Sequence, residues 1–481
     1  MKKLIKFFIL IVFFCSIISD GALLIAQAAG DGGQVTKVID PGLIVYRAAN
    51  RHYTNNDYRI QVRKPGGEWQ QLAGYYAVNM NKGPFTGPTL NTQTFAYFDS
   101  DFKQKIEVMV TKLKGTFTNA RIRPTSYGIA FTRNEKSITF FLDKPRKLSI
   151  EFDEDIYHNL CLFANSVEVN PPKEGDPNVK YFGPGYHEAG NLTLNSNETI
   201  YIAGGAIVRG SIRGTGISNA AVKGRGVLMN GGVRIDNAEN ITIEGIIFID
   251  SPGWTIVPNQ VNNSVIRDVK LINKTISSDG ADPSGCQNLV FDDVFFRIPD
   301  DCISIKAMSR SGVTKPNLDM MIKNCIFWSD AAHCILIGPE GNGTSTERVT
   351  ISNCDFLECQ YTGKDYWGVI AITNGDNMLI KDILVENCRI EDFSFSNLVA
   401  FRIEENIWTR LGPGGAIKNV VFRNVSYNGK STNPNYIKGF DATRNVDGVI
   451  FENLTINGKR ILSAEQGGFE IGAFTNNVVF K

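Results

Sequence analysis

Asp279 precedes the adjacent pair Asp300 and Asp301 by twenty-one residues, inside a stretch (277–306) that reads SSDGADPSGCQNLVFDDVFFRIPDDCISIK. Carboxylates brought close together cannot all ionise, so one of the three is expected to keep its proton and serve as a donor. An acid that protonates a leaving oxygen, beside carboxylates that activate water, is what hydrolysis of a glycosidic bond requires. The same stretch carries a second pair, Asp292 and Asp293. That pair needs no catalytic explanation, because Asp293 has an Asn or Asp counterpart in nearly every repeat described next.

The elements that must bring the carboxylates together are repeats. A phrase Asn-x-x-(Ile/Phe)-x-(Asn/Asp), followed by an apolar residue, returns with its second anchor at Ile243, Ile266, Phe291, Ile322, Ile351, Ile380, Phe422 and Phe451, and more weakly at Val222. The anchors are β-branched or aromatic, widely spaced and free of helical period. This predicts an all-β architecture in which residues 190–481 form a right-handed parallel β-helix, one coil per repeat. Two residues after each anchor from Ile266 on stands Asp or Asn, read as a polar ladder at a turn. One residue further is an apolar position that includes Cys325 and Cys354, expected as buried free thiols. Stacked coils sit about 4.8 Å apart. Asp279, Asp300, Asp301 and His333 fall at similar distances after their own anchors, on three consecutive coils, and are therefore expected on one face.

Residues 279–306 resemble the catalytic core of polygalacturonases, whose motifs run N-T-D-G, then D-D-C-x-x-I-K, then G-H-G, and of the related dextranases, which carry the three aspartates on the same β-helix. The resemblance implies an inverting glycoside hydrolase. It casts Asp300 as general acid and Asp279 and Asp301 as the pair that activates water. It also points to His333 and Lys306 as substrate-binding residues. Three departures stand out: Ser277 and Ser278 replace the Asn and Thr of the first motif, His333 lies in AAHCILIG, and the Arg-x-Lys phrase that holds a uronate carboxylate is represented by Arg402-Ile403-Glu404. A neutral glycan is thus as compatible with the sequence as a polyuronate. Trp254, on the coil before Asp279, is the best placed of the aromatic residues to stack on a sugar, ahead of Tyr361, Tyr366 and Trp367.

The remainder of the chain sets the context. A lysine-rich start, an apolar run and an A-x-A site read as a signal peptide over 1–28, which predicts a secreted or periplasmic protein. Residues 29–169 are β-type, with short runs between Gly, Pro and Asn turns, and are expected to form an antiparallel β-sandwich, an order that resembles the dextranases. A Pro- and Gly-rich connection follows over 170–189. The formal net charge of +1 gives no reason to expect a nucleic-acid partner, and none to expect a membrane partner once the leader is removed. The nine cysteines show no CxxC pair and no Cys/His metal spacing, so neither metal nor cofactor is expected. The expected partner is a polysaccharide substrate. A non-catalytic glycan-binding β-helix and a calcium-assisted polysaccharide lyase are the alternatives on the same scaffold.

Overall fold

The computed structural model describes residues 36–481 except 41, 49–52, 82–87, 309–313, 361–367 and 395. The expected leader and the aromatic candidates Tyr361, Tyr366 and Trp367 lie outside the described residues. What is described is nearly all β-structure without an α-helix, with a short 3-10 turn at Thr125–Tyr127.

The C-terminal part is a parallel β-helix. Its strands stack in register, and the inward column runs Val222, Ile243, Ile266, Phe291, Ile322, Ile351, Val385, Phe422, Phe451 and Phe480. One expected anchor is corrected: Ile380 stacks between Thr346 and Ile417, and Val385 takes its place in the column. The phrase misleads because each coil has two corners of the same chemistry. Asp382, which follows Ile380, turns the first corner with φ +59°, whereas Asn387 turns the second with φ +53°. The apolar position after Asn387 is accordingly Cys388, not Ile383, and Cys325, Cys354 and Cys388 are all buried free thiols. The helical sheet also begins earlier than the sequence suggests. Val179–Phe182 and Gly185–Thr193, which begin inside the expected connection, already pair in parallel with Thr199–Ile202 and Ala206–Thr215.

The corners explain why Asn and Asp recur. Asp268, Asp293, Asn324, Asn353, Asn387, Asn424 and Asn453 all hold φ between +52° and +57°. Most side chains pay for this left-handed conformation through a clash of Cβ with the following carbonyl; Asn and Asp tolerate it. Their amides also bond from coil to coil: Asn353 Nδ2 donates to Asn324 Oδ1 at 2.8 Å, and Asn453 Nδ2 to Asn424 Oδ1 at 2.9 Å.

Before the helix come two sheets. One has seven strands and the other five, and Ile60, Val108 and Phe140 of the smaller meet Phe98, Leu148 and Leu162 of the larger in one core. The larger is not wholly antiparallel, since Thr89–Ser100 and Leu160–Ser166 run parallel. Its outer face carries Tyr75, Phe95, Tyr97 and Phe163. These pack on Ile247, Ile249, Ile272, Phe295, Ile326 and Trp328, the outward residues of four stacked strands. Their inward neighbours Phe248, Leu271, Phe296 and Phe327 face the helix interior. That stretch of sheet is buried on both faces, which is why its strands read as continuous apolar runs.

At the edge of this contact a charged pair is sealed in. Arg297 and Asp330 have fully buried side chains 3.3 Å apart. Arg297 also donates to Asn159 Oδ1 of the N-terminal sheets at 2.8 Å, and Trp328 Nε1 donates to Asp330 at 2.9 Å. Arg297 lies three residues before Asp300, and Asp330 three before His333, so the pair ties the N-terminal sheets to the segments that carry the acids.

Asp330→Asn should therefore lower stability by about 3–5 kcal/mol, because it strands a buried guanidinium. The double change Arg297→Met with Asp330→Leu should cost less, which urea denaturation midpoints will show. At a corner, Asn424→Ala should cost about 1–2 kcal/mol from the left-handed backbone, and Asn424→Gly should recover most of it in the same assay.

Candidate active site

Coil-to-coil backbone bonds build the site. Thr255 N donates to Asp279 O, Gly280 N to Asp301 O and Cys302 N to His333 O, each at 2.9 Å. Ile256, Ala281, Ile303 and Ile335 stack in one column. The residues two positions before them are Trp254, Asp279, Asp301 and His333, one from each of four successive coils. All four, with Asp300 and Lys306, line a cleft of ≈ 360 Å³ whose walls include Ile276, Leu336, Pro339, Glu340, Ile407 and Trp408.

Each acid has its own surroundings. Asp300 is partly buried, and its two oxygens accept from Ser277 N at 2.6 Å and Asp301 N at 3.0 Å. Burial, then the charge of Asp301, outweigh these bonds and push its pKa up to about 6. Asp301 is buried too, which pushes it up, but His333 prevails. The ring Nδ1 at 2.5 Å and the backbone N at 3.1 Å meet one Asp301 oxygen and hold the carboxyl below its ordinary range. Asp279 is raised well above the ordinary carboxylate value by burial and then by Asp282, Asp300 and Asp301. Asp282 is pushed up to about 7 by burial, against the lowering pull of Lys306.

Lys306 sits at the centre of these charges. Its Nζ lies 3.5 Å from Asp279, 3.1 Å from Asp282 and 2.9 Å from Glu340, and 3.6 Å from the centre of the Trp254 ring. Burial disfavours the ammonium, but the three carboxylates outweigh it and raise its pKa.

The structure thus brings together Asp279, Asp300, Asp301, His333, Lys306 and Trp254. It does not bring Arg402 to them. Arg402 pairs in register with Thr373 and Lys438, its guanidinium lies 4.9 Å from the Tyr436 ring, and it is not among the residues that line the cleft. Trp254 has one face covered by the Lys306 ammonium. Sequence reasoning missed Asp282, Glu340, Ile407 and Trp408. Asp282 had a signal, as the second acid of the phrase D-G-A-D. Glu340 and Trp408 sit in turns outside the repeat phrase and had none. Among the described residues no group of three or more His, Cys, Asp or Glu is arranged to hold a metal ion.

Comparison with known proteins follows the same lines. In fold the chain is similar to Dex49A from Penicillium minioluteum, at 13% identity and TM-score 0.50, over 91% of this chain and 99% of that one. It is also similar to a family 28 exopolygalacturonase from Yersinia enterocolitica, at 12% identity and TM-score 0.42, over 77% of this chain and 96% of that one. No curated protein matches the sequence. The profile of glycosyl hydrolases family 28 matches residues 191–466, more than half of the chain and every residue lining the cleft. The chain therefore belongs to glycosyl hydrolases family 28, and it is a glycosidase.

Proposed function

We propose that this glycosidase is an exported enzyme that cleaves a polysaccharide with inversion, using Asp300 as the general acid and Asp279 and Asp301 to activate water. The observation that carries the reading is the divergence of two neighbouring carboxyls: burial and the Asp301 charge push Asp300 up to about 6, while His333 holds Asp301 low. Neighbouring groups whose environments separate their pKa values can divide the roles of acid and base. Lys306, 3.5 Å from Asp279, favours its charged form, the one that accepts a proton from water, against the burial that raises it. His333 positions Asp301 through its ring and backbone nitrogens. Export rests on the leader pattern at 1–28, and no helix among the described residues is long and apolar enough to cross a membrane.

Proton NMR of an early time course should show the inverted anomer first; retention would overturn the assignment. Asp300→Asn should keep the fold and lose about 10²–10⁴-fold in turnover of natural glycan. Activated aryl glycosides, where accepted, should be hurt less, since they need little protonation. The general acid works protonated, so kcat/KM should fall as pH rises through about 6, where Asp300 loses its proton. Asp301 keeps its charge until pH falls below the ordinary carboxylate range. An Asp300→Asn enzyme with full activity on glycan would sink this reading.

A further inference from the structure

The charges in the cleft are arranged against an acidic sugar. Of the described residues that line it, Lys306 is the one lysine or arginine. An ammonium has three N–H donors, and Lys306 faces three carboxylates, those of Asp279, Asp282 and Glu340, with its remaining approach covered by the Trp254 ring. It is 5% exposed. No donor remains for a substrate carboxylate. The other cationic candidate, His333, already meets Asp301 through Nδ1. A uronate carboxylate entering the cleft would instead meet Asp301, which His333 holds charged, and like charges at close quarters are a device for rejecting a wrong partner.

The cleft does offer an apolar surface. Ile407 and Trp408 line it while 88% and 53% exposed. Their turn is built: Trp408 N donates to Asn406 Oδ1 at 2.9 Å, Thr409 Oγ1 to Asn406 O at 2.8 Å, and Leu411 N to the buried Asp376 at 2.7 Å. An exposed indole on a hydrogen-bonded turn offers a stacking surface for the C–H face of a sugar ring.

We infer that the cleft selects uncharged sugar residues, with Glu340 holding Lys306 away from substrate and Trp408 supplying the surface on which a neutral ring lies. The inference rests on the cleft being the hydrolytic site. Glu340 is a positioning residue here: it acts on substrate choice through Lys306, and the acid and base roles do not use it.

The test is initial-rate measurement with the full chain on two groups of polymers. Dextran, arabinan, galactan and xylan form the neutral group, and polygalacturonate and alginate the acidic one. Turnover confined to neutral polymers is the expected result; a uronate polymer as the better substrate overturns the inference while leaving the hydrolase reading intact. Turnover of none, by folded protein, overturns the hydrolase reading and this inference with it. On the neutral substrate, Trp408→Ala should raise KM about tenfold with kcat nearly unchanged, and Trp408→Phe should restore most of it. Inhibition by galacturonate oligomers should strengthen about tenfold in Glu340→Gln, where one Lys306 donor loses its charged partner. Unaltered inhibition and unaltered KM in these variants would remove both residues from the specificity assignment.

Discussion

The hydrogen bonds from each coil to the next are the constraint on which the rest depends. They leave the backbone no freedom to slide, because a one-residue slip would turn the inward column Ile266, Phe291, Ile322 outward. Once the register is fixed, so is the spacing of Asp279, Asp301 and His333, which occupy one lateral position on three coils. The acids are close because the scaffold repeats, and no loop has to fold specially to gather them. Their crowding then does the electrostatic work, together with burial. Three carboxyls are pushed up, and the one that touches His333 stays low.

A site of this kind must be held against its own repulsion. The single charge of Lys306 lies among three of the carboxyls, and His333 bonds a fourth. Behind the site the chain is clamped. Ser329 Oγ donates to Asp300 O at 3.0 Å, Ala332 N donates to Ser329 Oγ at 2.9 Å, and the buried Arg297 and Asp330 pair lies under both segments. The segments that carry the acids are thus also braced from the N-terminal sheets, through Arg297 and Asn159.

Much of this was legible in the sequence, for a physical reason. Residues confined to a left-handed corner are drawn from a short menu, so Asn and Asp mark the coils, and an Asp outside that menu, such as Asp300, stands out. The same economy produced the misreading at Ile380. Both corners of a coil accept the same residues, and NMLIKD at 377–382 imitates the phrase that belongs to Val385. The early start of the helix at Val179 was hidden because Pro and Gly in 170–189 read as punctuation, while the strands there are little buried. Glu340 and Trp408 left no trace, since their roles depend on which turn folds back over Lys306 and the cleft. Arg402 illustrates the converse: an arginine in a familiar phrase, carried by register to a different stretch of the sheet.

The wall shared by the helix and the N-terminal sheets has a consequence for how such a chain can change over generations. Cleft-side turns such as the one around Trp408 hang from the coils and can lengthen, shorten or be exchanged without touching the register. The wall offers no such liberty. Phe295, Ile326 and Trp328 would meet water if a different N-terminal half were joined to this helix, and Arg297 would lose its Asn159 partner. New substrates are therefore open to this lineage by rewriting turns, whereas its two halves are bound to be inherited together.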